Sequence, residues 1–176
     1  MSFINGEMRL NLGGFYTEGQ GFVDGLSRTN TNLTLNAGTT ITTELNEDSY
    51  LTAGYNINRL NNSFEDDERV STTQIVHNLS LDFALELNPV WRFESRFNYG
   101  IYDANQLVNE SQSIPDLAVQ LEIRPFKKVG HYFRLSGSDL FDQNTIIRRN
   151  VGQFTTTETT ATGLGRYFLG TFFYKL

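Results

Sequence analysis

The chain has 176 residues, of which 39 % are hydrophobic and 13 % aromatic, with a net charge of -6 and no cysteine. That length and ring content suit one folded domain over residues 1–176 and exclude disorder, while the absent cysteines exclude disulfides and thiolate metal sites. Lysine and arginine are spread along the chain instead of gathered on one face, which argues against a nucleic-acid partner. No run of about 18 or more apolar residues exists, which excludes a transmembrane helix. A transmembrane sheet stays open, because every second residue of such a sheet faces away from lipid and keeps mean hydropathy low.

Residues 1–6 carry neither the charged nor the apolar region of a secretory signal, so Met1 is expected to begin a mature or excised chain. From about residue 5 to 16, Met8, Leu10, Leu12, Gly14 and Tyr16 alternate with Glu7, Arg9, Asn11, Gly13 and Phe15, the period-two pattern of a strand. Thr17 to Arg28 reads as a polar loop. Alternation resumes at Leu33, Leu35, Ala37, Thr39 and Ile41, turns at Asn46-Glu47-Asp48, and continues through Leu51, Ala53, Tyr55 and Ile57. An acidic loop containing Phe64 to Glu68 follows. The fourth strand carries Ile75, His77, Leu79, Leu81, Phe83, Leu85 and Leu87 on one side and ends at Asn88-Pro89, a turn signal. The fifth sets Trp91, Phe93, Phe97, Tyr99 and Ile101 against Arg92, Glu94, Arg96 and Asn98.

After a loop over 103–114, the sixth strand sets Leu117, Val119, Leu121 and Ile123 against Gln120, Glu122 and Arg124, and Phe126 to Gly130 form its turn. The seventh carries Phe133, Leu135 and Gly137, and a long segment over 142–162 leads to an eighth, Gly165 to Leu176. In that last strand Phe168, Gly170, Phe172, Tyr174 and Leu176 share one side. Short turns follow the second, fourth and sixth strands and long connections follow the others. With an even strand count this is the pattern of an eight-stranded antiparallel up-and-down transmembrane β-barrel whose termini share the periplasmic side and whose first and last strands pair. The strands also run to about 10 residues, the length a tilted bilayer crossing requires.

Alternation alone leaves two inverse readings, an outward apolar row in a bilayer or an inward one in a soluble, lipocalin-like barrel that binds a small apolar ligand. Bulk favours the first. Trp91, Phe93, Phe97, Tyr99, Phe133, Phe168, Phe172 and Tyr174 are too many rings for a narrow eight-stranded interior. On that reading Arg92, Glu94, Arg96, Glu122, Arg124 and Arg134 form a lumen ion-pair network. Phe15 and Phe173 plug the lumen, and Trp91, Tyr99, Tyr132 and Tyr167 form interfacial girdles.

The order and spacing of Arg134-Leu135-Ser136-Gly137-Ser138-Asp139-Leu140-Phe141-Asp142-Gln143-Asn144, Ile147-Arg148-Arg149-Asn150-Val151, Arg166-Tyr167-Phe168 and Thr171 to Leu176 resemble the last hairpin of the TonB-dependent-receptor-like outer-membrane barrels. Leu87-Asn88-Pro89 leading into Trp91 resembles earlier strand entries of that family. The likeness is strongest over residues 131–176. It implies an outer membrane of a Gram-negative bacterium, a lipid bilayer as surroundings, and Phe168, Phe172, Tyr174 and Leu176 as the C-terminal signal read by the barrel assembly machinery. Such receptors import glycans or metal chelates through a larger barrel with a plug domain, energised from the inner membrane. These 176 residues are expected to form one barrel domain without a plug domain, with strands for about a third of such a receptor, and so to be a structural or transport-related module, monomeric, without independent catalysis.

No catalytic residue, cofactor or metal is assigned. His77 and Ser80 lie on opposite faces, and His131 with Ser136 or Asp139 lies beside a turn, away from the outer leaflet where lipid-modifying chemistry would act. Glu94 and Glu122 have arginine neighbours that keep both ionised, unlike a glycosidase pair. The acidic run Phe64 to Glu68 lacks the glycine-turn spacing of a calcium loop.

Overall fold

The computed structural model describes residues 5–23, 26–64, 67–104, 111–125, 131–143, 145–151, 156–162 and 164–174. The strands are β1 (Asn5–Val23), β2 (Leu26–Asn46), β3 (Ser49–Phe64), β4 (Asp67–Asn88), β5 (Trp91–Tyr102), β6 (Gln112–Ile123), β7 (Tyr132–Ser138), β8 (Thr145–Val151), β9 (Thr156–Thr162) and β10 (Tyr167–Phe173). Eight of them form one sheet in the order β1-β2-β3-β4-β5-β6-β7-β10, every neighbour antiparallel, and β8 pairs with β9 in a separate ribbon. The fold is therefore all-β with eight up-and-down strands, as the alternation predicts.

Register turns the period-two pattern into two chemically distinct faces, because residues directly opposite one another share a face. Met8, Ile41, Ala53, Leu81, Phe97 and Leu117 stand in one row across six strands, and Leu10, Thr39, Tyr55, Leu79, Tyr99 and Pro115 in the next. Nearer β10 the same face carries Phe93, Leu121, Leu135 and Gly170, then Trp91, Ile123, Phe133 and Phe172. The opposite face carries Arg9, Thr40, Gly54, Ser80, Asn98 and Asp116 in one row, and Arg92, Glu122, Arg134 and Thr171 in another. Among the described residues no second sheet covers the apolar face, although Phe141 packs edge-on against Phe97. Leu12 is 85 % exposed and Phe168 74 %, and Ala84 is the one buried hydrophobic residue among those described.

Three expectations are corrected. First, β1 and β10 are the two outer strands of an open sheet and do not pair, so the sheet is not closed into a barrel. The polar side that closure would enclose carries bulky side chains, among them Arg92, Arg134 and Tyr132, in an interior that eight strands leave narrow. Second, the segments read as loops over 17–28 and around 64–68 are largely ladder. β1 pairs with β2 out to Val23 opposite Leu26, and β3 with β4 out to Phe64 opposite Asp67. Backbone hydrogen bonds carry these ribbons where the side chains are polar on both sides, so no hydrophobic period announces them. Third, the long segment over 142–162 contains the hairpin β8–β9. Residues 105–110 and 126–130 lie outside the described residues, as do Glu65 and Asp66 of the acidic run.

The tight connections after β2 and β4 stand as read, and both are built by asparagine. Asn46 Oδ1 accepts from the Asp48 backbone N–H at 3.0 Å, and Asn88 Oδ1 from those of Val90 and Trp91 at 2.9 and 3.1 Å. Each side chain stands in for a backbone acceptor and fixes its turn. Together with the starts of β7 and β10's end, these turns bring the aromatic and ionic clusters to one end of the sheet.

Candidate functional site

All six residues expected in the ion-pair network lie in a β5–β6–β7 patch, and register explains how they meet. Arg92, Glu122 and Arg134 are opposite one another in a single row. Arg134 Nη2 donates to Glu122 Oε2 at 3.1 Å, and Arg124 Nε to Glu122 Oε1 at 2.6 Å, so one carboxylate is held by two guanidiniums. Glu122 is 5 % exposed. A carboxylate so enclosed is tolerable only because both oxygens are engaged by cations.

The other three form two further groups. Arg92 Nε donates to Glu94 Oε1 at 2.7 Å, and Gln120 Nε2 to Glu94 Oε2 at 3.1 Å. Arg96 Nε donates to Asp82 Oδ1 at 2.8 Å across the β4–β5 ladder, where the two are directly opposite. Asp82 and Gln120 were missing from the network read in the sequence, although both sit on the polar side of their strands, the signal that could have found them. The ionic contacts therefore resolve into three groups rather than one continuous mesh.

Aromatic placement departs from the girdle reading at two positions. Tyr132 and Phe173 are directly opposite on the polar face, with ring centroids 4.2 Å apart, and Arg134 lies over both rings at 5.3 and 5.0 Å. Tyr167 shares the alternation of Thr171 and Phe173 and so belongs to that polar side too. Neither is an outward girdle residue, because a strand's side is set by parity and both have the parity of Arg134 or Thr171. Trp91 and Tyr99 do lie on the apolar face. Phe173 fills its place beneath Arg134, but Phe15 is 66 % exposed and plugs nothing.

Of the residues expected to form a C-terminal signal, Phe168 and Phe172 point to the apolar side opposite Gly137 and Phe133, and the Tyr174 ring stacks on His131 at 4.2 Å. Leu176 lies outside the described residues. The polar face also holds two open grooves. One, about 590 Å³, is lined chiefly by Arg9, Asn11, Thr40, Gly54, Asn56, Asn78, Ser80 and Asn98. The other, about 340 Å³, lies over Asp82, Glu94, Arg96, Gln120 and Ser136.

His77 and Ser80 are not brought together. His77 is on the apolar face, with Nδ1 2.7 Å from the Tyr55 hydroxyl and Nε2 3.5 Å from Asp103, and Ser80 is on the other face. Glu94 and Glu122 are each bound to arginine. Among the described residues no three His, Asp or Glu side chains are placed to hold a metal ion. The arrangement provides an apolar surface on one face of the sheet and a polar, ionically braced one on the other. The chain matches no family model, no curated protein and no solved structure.

Proposed function

We propose that the chain is an integral outer-membrane β-sheet protein, a structural or transport-related wall segment of a barrel, with no catalysis of its own. The observation that carries this reading is the apolar face. It extends over all eight strands, interrupted at Arg59, His77 and Ser95, and is left largely uncovered, which in water would forfeit about 25 cal/mol for every Å² of apolar surface that stays wet. A bilayer removes that cost. The polar face, with its charges paired and its grooves lined by hydroxyls and amides, then borders an aqueous interior. The terminal segment's likeness to TonB-dependent-receptor-like barrels supports the outer membrane as the location and transport as the context.

Fractionation of a Gram-negative host expressing the chain tests this. The protein is expected in the outer membrane, to need detergent for extraction, and to migrate differently on gels before and after boiling. A chain that purifies without detergent and shows one migration overturns the membrane reading.

A further inference from the structure

The sheet has two free edges, and in hydrocarbon a free edge is untenable, since each unpaired backbone N–H or C=O there costs several kcal/mol. β1 is not defended against pairing. It has no proline and no lysine, and Arg9 is paired within the strand, its Nε donating to Glu7 Oε1 at 2.6 Å, while Glu18 accepts from the Tyr16 hydroxyl at 2.8 Å and keeps its charge. Between Asn5 and Thr17 an incoming strand therefore meets no uncompensated charge. β10 is complementary to it. The sheet has an even number of antiparallel strands, so β1 and β10 run in opposite senses, and both carry apolar residues at even positions. The register that sets Thr171 opposite Asn11 places Gly170 beside Leu12, Phe172 beside Leu10 and Phe168 beside Gly14, with both apolar rows on one side.

These edges can meet within one chain or between two. Closure within one chain makes an eight-stranded barrel, whose interior is just wide enough for its side chains to fill. Here the polar side already carries Arg9, Arg92, Arg96, Arg134, Tyr50 and Tyr132. It stays open enough for a groove of about 590 Å³ and an Arg96 side chain 71 % exposed. Resting on the membrane reading above, we infer that a second copy of this chain closes the sheet, the β1 edge of each copy pairing with the β10 edge of the other. A twofold axis along the bilayer normal pairs the seven residues of each β10 with part of the other copy's 19-residue β1 through one repeated interface, and keeps both copies in the same orientation. Pairing β1 with β1 would turn one copy upside down. The result is a sixteen-stranded wall, a size that leaves an aqueous lumen between the two polar faces.

The chain has no cysteine, so disulfide trapping reads the pairing directly. In detergent-extracted, heat-modifiable protein, Asn11→Cys and Thr171→Cys variants are co-expressed and oxidised, with Arg9→Cys and Gly13→Cys covering a two-residue slip. Asn78→Cys, in the middle of the sheet, controls for random collision. The expected product is a cross-linked pair of chains for an edge combination and none for the control, and a disulfide between chains in the double variant N11C/T171C. A disulfide within a single chain of that variant overturns the inference in favour of closure in one chain. Absence of any edge cross-link in protein that still shows heat-modifiable migration overturns it as well. Loss of heat-modifiable migration in the unsubstituted chain would instead count against the membrane reading itself.

Discussion

Glu122 accepts a hydrogen bond from Arg134 at 3.1 Å across the β6–β7 ladder while Arg124 holds its other oxygen at 2.6 Å. The arrangement is asymmetric in what its loss would do. Glu122→Gln takes the shared carboxylate from two guanidiniums that are 39 % and 32 % exposed and keep contact with solvent, and should cost roughly 2–3 kcal/mol for two charged hydrogen bonds. Arg134→Met removes one of two cations and keeps much of the packing on Tyr132 and Phe173, so about 1–2 kcal/mol is expected. Urea unfolding of the two single variants and the double variant in detergent gives the coupling. Additive losses would mean that the contact contributes nothing.

The two faces predict opposite outcomes for neighbouring positions. Leu121 stands between Phe93 and Leu135 on the apolar face, and Gln120 beside it points to the polar face, donating to Glu94. In a bilayer Leu121→Arg should cost about 2–4 kcal/mol, and Phe97→Arg the same if both lie near the midplane. Gln120→Arg keeps a donor toward Glu94 and should cost well under half of that. Equal losses across the three would mean that the faces do not border different media.

Much of this was legible in the sequence, and the residues show why. Period-two alternation gave Leu121 and Gln120 their opposite sides, and Asn46 and Asn88 marked turns through the hydrogen bonds that their side chains make. What parity cannot supply is the offset between strands. Asp82 opposite Arg96, and Tyr132 opposite Phe173, need the register before they become partners. Nor does a pattern of sides say how far a sheet curves, so the expectation that β1 meets β10 rested on strand number alone. The outer halves of β1 to β4 were hidden for a third reason: stretches such as Thr17–Gln20 are polar on both sides, and only backbone pairing shows them to be strand.

Close packing on the polar face sets a third test, at Gly38. It lies between Asn11 and Asn56 in one cross-sheet row, and an added Cβ would fall 2.5 Å from Asn11 Oδ1, 2.8 Å from Asn56 Nδ2 and 3.1 Å from the Tyr55 carbonyl oxygen. The two amides can swing away but the carbonyl belongs to the ladder. Gly38→Ala should therefore destabilise by about 1–3 kcal/mol, and Asn11→Ala combined with it should recover part of the loss by vacating one side. A neutral Gly38→Ala in thermal or urea unfolding would mean that the sheet is looser here than its register implies.

The terminal strand carries the last prediction. Phe168 and Phe172 of β10 face the apolar side, and an added Cβ on Gly137 would fall 2.9 Å from the Phe168 ring, so glycine is what lets that ring lie over β7. Assembly and stability make different demands on these residues. Phe172→Ala removes apolar surface that is mostly exposed in the sheet, so its effect on unfolding in detergent should be small, about 1 kcal/mol or less. If the β10 rings are what the assembly machinery reads, the same change should sharply reduce the fraction of chain reaching the outer membrane. Gly137→Ala displaces chiefly the Phe168 ring, which is 74 % exposed and can swing away, so it too should cost about 1 kcal/mol or less, while leaving the terminal pattern and its delivery intact. Quantifying outer-membrane and unfolded periplasmic pools beside unfolding of the purified variants separates the two. Equal delivery of Phe172→Ala and the unsubstituted chain would remove the terminal strand as a targeting signal.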